Sequence, residues 1–150
     1  MAFKRGFRIV VVSHGRLARA MLESAGMICG DLEDTTAVDL QPGETPEALG
    51  VQIEAALGHD GRPALLLTDL LGGTPHNVAA LTCAQARGTG RVVACVSGAN
   101  LGVLLEAATS VTALDAEAVG HLVDRGRAGL VDVMALLAER RAGRRSGVAE

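Results

Sequence analysis

Four short apolar runs, each followed by a stretch with helical periodicity, constrain the fold of this chain more than any other feature. Phe7 to Val12 is rich in β-branched apolar residues, which suits a central parallel strand covered on both faces. Thr35 to Leu40 reads as a weaker second strand nearer an edge, Ala64 to Thr68 as a third and Arg91 to Val96 as a fourth. Helical patterns lie between them. Leu17, Met21, Ala25 and Ile28 form one stripe from Arg16 to Cys29, with Gly30 as a stop. Thr45 caps a helix whose first position is Pro46 and whose stripe is Leu49, Ile53 and Leu57. Thr74 is expected to cap a helix starting at Pro75, with Val78, Leu81 and Ala84 turned inward. Leu101, Leu104, Leu105 and Ala108 follow the turn Ser97-Gly98-Ala99-Asn100, and Asp115 opens a helix through Val119, Leu122 and Val123 to Gly126. Strands alternating with helices, over connections short enough for right-handed crossovers, predict an α/β fold. The expected architecture is a doubly wound, mainly parallel sheet of order 2-1-3-4 with helices on both faces.

The end of the chain is ambiguous. Leu130, Val133, Met134 and Leu137 fit a helix, while Val131-Asp132-Val133 also fits a short alternating strand. Residues 1–134 are expected to form one domain and 135–150 a helical or disordered tail, with disorder beyond about Ala142.

Composition narrows the function. At 150 residues, 49% hydrophobic and 21% charged, the chain can bury a substantial core. Two Phe and no Trp or Tyr leave no stacking platform for bases or sugar rings. A net charge of −3 argues against a nucleic-acid surface, and the arginines at 140–145 read as a solvated tail. Cys29, Cys83 and Cys95 are widely spaced and form no CxxC pair, so neither a zinc site nor a disulfide framework is suggested. The run Ile9 to Val12 is too short for a signal-peptide core or a membrane span. A cytoplasmic protein without membrane insertion is expected.

The chemistry concentrates at two strand ends. His14 follows the first strand and Asp69 the third, and in the expected sheet order those strands are neighbours flanking the topological switch point. A neutral imidazole is a good nucleophile near neutral pH when one nitrogen is held by an acceptor and the other left free. Asp69 could be that acceptor. The same residues are also compatible with a surface histidine and a turn-forming aspartate. Gly72 and Gly73 permit backbone angles that let successive N–H groups converge on an anion, and the helix after Thr74-Pro75 aims its positive end there. An ordinary Gly-Gly turn before a capped helix fits as well. Neither GxxxxGK[ST] nor GxGxxG is present. His59 and His121 read as incidental. His76 lies close to the chemistry, where it could modulate charge or join His14 and Asp69 around a metal.

Taken together, Ile9-Val10-Val11-Val12-Ser13-His14-Gly15, Thr68-Asp69-Leu70-Leu71-Gly72-Gly73-Thr74-Pro75-His76-Asn77 and Val96-Ser97-Gly98-Ala99-Asn100-Leu101 resemble the IIA domain of the mannose-class sugar phosphotransferase system. Gly126-Arg127-Ala128-Gly129-Leu130 resembles its C-terminal segment. The resemblance covers about residues 7–134. It implies a cytoplasmic phosphocarrier that takes a phosphoryl group from the phosphohistidine of HPr and passes it to a IIB protein, with no cofactor and no metal. The phosphorylated histidine falls on His14, its partner aspartate on Asp69 and the phosphate cradle on Gly72, Gly73 and Thr74, with Ser13, Gly15 and Asn100 in support. It also implies a homodimer in which Gly129 to Val133 is exchanged as an antiparallel edge strand. His76 departs from the family, which often has an aromatic residue there. No IIB domain follows in this sequence, so IIB is expected on a separate chain, and a regulatory role stays open beside sugar uptake. Two rival readings remain. Strand-then-His-Gly also opens sirohydrochlorin-type metal chelatases, in which His14 would be a metal ligand and general base. A phosphorylation-dependent regulatory binding protein would differ only in where the phosphate goes. Histidine phosphatases carry arginine where Ser13 stands, which weakens that reading.

Overall fold

A computed structural model describes residues 5–146. Strand β1 (Arg8–His14) lies at the centre of a four-stranded sheet, between β2 (Thr35–Leu40) and β3 (Ala64–Thr68), and β4 (Val93–Ser97) continues beyond β3. All three pairings are parallel, giving the order β2-β1-β3-β4. The register sets Ser13 beside Asp39 and His14 beside Leu40 on one flank, and Val12 beside Thr68 on the other. The residue after Thr68 therefore emerges next to His14.

Side chains alternate between the two faces of each strand, and this sorts the core into two layers. Ile9, Val11, Leu65 and Leu67 point to one face, covered by helices α1 (Leu17–Cys29), α4 (Leu101–Thr109) and α5 (Ala116–Ala128). Val10, Val12, Ala64 and Leu66 point to the other, covered by α2 (Pro46–Leu57) and α3 (Thr74–Gly88). Leu65, Leu66 and Leu67 are fully buried, each burial worth roughly 1.5–3 kcal/mol. That commits β3 to the sheet interior and fixes where Asp69 surfaces.

The inward faces of two helices differ from those expected. In α1 the buried residues are Ala18, Met21 and Ala25, whereas Leu17 and Ile28 are exposed. In α3 they are Pro75, Ala79, Thr82 and Cys83, while Leu81 and Ala84 face outward. Small residues let a helix lie close against the sheet, and a stripe drawn through the largest apolar side chains misses them. The α2 stripe of Leu49, Ile53 and Leu57 is as expected.

At the C-terminal end, which periodicity leaves open between helix and strand, residues 129–132 form no strand within the single chain, and helix α6 runs from Val133 to Ser146. Asp132 decides the outcome, because its carboxylate accepts the N–H groups of Met134 and Ala135 and so caps the helix. The helix continues past Ala142, against the disorder expected there; the remainder of that expectation, 147–150, lies outside the described residues. Leu130, Val131, Val133, Met134 and Leu137 are all exposed. No helix among the described residues is long and apolar enough to cross a membrane.

Candidate active site

The site is built from the carboxyl ends of β1 and β3. His14 is the last residue of β1, and its side chain is 46% exposed. Asp69 follows β3, and its side chain is largely buried. One carboxylate oxygen, Asp69 Oδ2, accepts the His14 backbone N–H at 2.9 Å and meets the imidazole Nδ1 at 2.8 Å. An ionised carboxylate can only accept, so in the neutral ring the tautomer that fits this contact has its proton on Nδ1 and its lone pair on Nε2. The other oxygen accepts the Leu70 N–H at 2.9 Å. Burial pushes the Asp69 carboxyl up, but the His14 main-chain and ring hydrogen bonds, the His14 charge and the Leu70 N–H outweigh it and hold the group below its ordinary value.

Beyond Asp69 the chain turns sharply. Gly73 N–H bonds to Leu70 O, and Gly72 takes a φ of 81° that favours glycine. Gly73 is needed for space instead: a Cβ there would meet His14 Cε1 at 2.8 Å and Nε2 at 3.4 Å. Gly73, and not Thr74, is the N-cap of α3; Thr74 and Pro75 are its first helical residues. This shifts the expected cap by one residue and leaves the Thr74 hydroxyl without capping duty. A helix leaves its first N–H groups without intrahelical partners. Asn77 returns its N–H to Gly73 O and its side-chain amide to Gly72 O, Pro75 has no N–H, and those of Thr74 and His76 meet no backbone acceptor among the described residues. The positive end of α3 thus lies against the Nε2 edge of His14.

The supporting residues take other places. Ser13 is buried; its hydroxyl donates to Asp39 Oδ1 at 2.9 Å and accepts the Ala18 N–H at 2.7 Å. Gly15 has a φ of 64°, bonds through its N–H to Leu40 O, and receives the Gln41 amide on its carbonyl. Asn100 caps α4 by accepting the Val103 N–H and donates to Gly126 O, so its bonds run to α4 and α5 and not to His14. His76 Nδ1 is buried without a partner among the described residues, as are Thr68 Oγ1 and Ser97 Oγ, whose residues are register neighbours at the same edge. His121 pairs with Glu106 at 2.7 Å, a link between α4 and α5 that spacing did not reveal. Asp39 and Gln41 were missed altogether, since a lone acid in a strand and a loop glutamine carry no motif. Among the described residues no group of three or more His, Cys, Asp or Glu is placed to hold a metal ion. A cavity of about 880 Å³ lies at the opposite end of the sheet around Arg5, Asp34 and Arg62, away from this chemistry.

Known proteins resemble the chain over most of its length. The sorbose-specific EIIA component of Lacticaseibacillus casei is 30% identical over 118 residues, covering 77% of this chain and 82% of that protein. The fructose-specific EIIA component of Bacillus subtilis is 33% identical over 100 residues, 65% of this chain and 66% of that protein. Among solved structures, the EIIA phosphotransferase component from Streptococcus agalactiae superposes with a TM-score of 0.78 at 29% identity, covering 86% of this chain and 98% of that one. The mannose/sorbose-specific IIA subunit from Enterococcus faecalis gives 0.73 at 33% identity, covering 87% and 95%. The family model described as EIIA-man, PTS system fructose IIA component, matches residues 8–125, and the chain therefore belongs to the mannose-class IIA family of the sugar phosphotransferase system.

Proposed function

We propose that this IIA chain is a phosphocarrier that accepts a phosphoryl group from the phosphohistidine of HPr on His14 Nε2 and donates it to a IIB protein. The observation that carries this reading is the 2.8 Å contact between Asp69 Oδ2 and His14 Nδ1, which leaves the opposite edge of the ring against Gly73. In the transfer, the Nε2 lone pair forms a bond to phosphorus as the bond to the HPr imidazole nitrogen breaks, and the HPr ring departs with that electron pair. Positive charge grows on the His14 ring, and the adjacent Asp69 carboxylate stabilises it. The transferring oxygens meet the Thr74 and His76 N–H groups, the Thr74 hydroxyl and the turn at Gly72 and Gly73. No cofactor enters the scheme. Onward transfer to IIB reverses the same steps, and the carrier works in the cytoplasm, where its donor resides. A homodimer is part of the proposal, because Leu130, Val131, Val133 and Met134 leave an apolar face near the chain end that a second copy would cover.

Incubation with phosphoenolpyruvate, enzyme I and HPr, followed by intact-mass measurement, tests the proposal. One added phosphoryl group per chain is expected, lost in a folded His14→Ala protein. Uptake by His14→Ala equal to that of the unaltered chain overturns it. Transfer is expected to persist in EDTA; its loss there, with recovery on adding a divalent metal, would support His14 as a metal ligand instead.

A further inference from the structure

A second carboxylate lies behind His14, and the transfer scheme does not use it. Asp39, on β2, has a side chain only 3% exposed. Removing a carboxylate from water is costly unless hydrogen bonds replace the lost solvation. Oδ1 has them: it accepts the Ser13 hydroxyl at 2.9 Å and shares the Ala18 N–H, at 3.0 Å, with Ser13 Oγ. Oδ2 is buried without a hydrogen bond among the described residues, and its ion-pair partner is Arg19, with Nε at 3.9 Å.

The position explains the expense. Only Gly15 and Arg16 separate the end of β1 from the start of helix α1, and the N-cap residue, Arg16, makes no side-chain cap. The neighbouring strand supplies that cap through Asp39, where the positive end of the helix favours an anion. His14 and Gly15 are thereby freed from capping α1, and the His14 imidazole can turn to Asp69. The main chain around His14 is then held on every side. Its own N–H is bonded to Asp69, Ser13 before it is bonded to Asp39, and the Gly15 N–H after it is bonded to Leu40 O at 2.9 Å. The N-terminal ends of α1 and α3 at this rim also differ. That of α1 already holds an internal carboxylate, whereas that of α3 is open, so an incoming anion is directed to Gly73 and Thr74.

We propose that Asp39 is a positioning residue for His14, acting through Ser13 and the first turn of α1; its kinetic consequence rests on His14 being the phosphoryl acceptor. Asp39→Ala removes the acceptor oxygen, and Asp39→Asn keeps one. Two measurements are needed, on the full chain: the rate of transfer from phosphorylated HPr, and the ¹⁵N resonances of the His14 ring without any donor. Asp39→Ala is expected to lower the maximal transfer rate on the order of tenfold, leave the KM for HPr unchanged and move the His14 nitrogen signals. Asp39→Asn is expected to restore both. If Asp39→Ala does not fold, Ser13→Ala removes the link to β1 and is expected to move the same signals in the same direction. Unchanged His14 signals in the folded Asp39→Ala protein, or in Ser13→Ala in its place, overturn the proposal. So does an Asp39→Asn protein no closer to wild type than Asp39→Ala. Should no protein, wild type included, take up a phosphoryl group, the carrier function fails while the ring signals still decide the role of Asp39.

Discussion

Gly73 and His14 share a space with no room for a methyl group: a Cβ on Gly73 would stand 2.8 Å from the imidazole Cε1. The φ of Gly73 is −72°, a value any residue adopts, so alanine there would strain the contact and not the backbone. Gly73→Ala is therefore expected to fold and to rotate the His14 ring off Asp69. Transfer from phosphorylated HPr should fall by about 10- to 100-fold, read by quenched flow, with little change in the denaturation midpoint.

Removing the Asp69 charge while keeping its shape isolates electrostatics from packing. Asp69→Asn is expected to fold and to accept phosphoryl about tenfold more slowly or worse, equivalent to a loss of about 1.4 kcal/mol in transition-state stabilisation. Wild-type rates in that protein would reduce the carboxylate to a turn residue.

Asp69 also sets a pH dependence whose sign follows from its lowered pKa. Burial opposes ionisation, yet the bonds from His14 and Leu70 win, so the folded chain holds the carboxylate more tightly than the unfolded chain does. The stability this contributes is complete above the unfolded value of about 3.9 and is lost as pH falls through the lower folded value. Urea denaturation should show a gap between wild type and Asp69→Asn near neutral pH that narrows progressively below about pH 4.

Asn100 acts through the packing of α4 on α5. It caps one helix and holds the carbonyl of Gly126 beside the other. Asn100→Ala loses both bonds, at a cost of roughly 1–2 kcal/mol, measurable as a lower denaturation midpoint.

The exposed residues Leu130, Val131, Val133 and Met134 predict self-association. A chain truncated before Gly129 is expected to sediment as a monomer or to be unstable, and a stable truncated dimer would place the interface elsewhere.

The strands were legible because burial on both faces demands runs of large apolar residues, and Ala64–Thr68 leaves no other reading. The sheet order followed, and with it the meeting of His14 and Asp69. Helix faces were less legible. Ala18 and Ala79 pack against the sheet by being small, a signal that hydrophobic periodicity underweights. Asp39 was invisible for a different reason: its meaning comes from the register that sets it beside Ser13, and register is a property of two strands. At the chain end, local capping by Asp132 settled what periodicity left open.

The His14 ring is nearly half exposed, and an opening wide enough for a partner's imidazole also admits water. A phosphoryl group carried there would have a finite lifetime against hydrolysis. The carrier would hold its charge only briefly, and its yield would depend on how soon an acceptor arrives. Abundance of the two partners, more than affinity for either, would then decide how much of the donor's phosphoryl flux survives the relay.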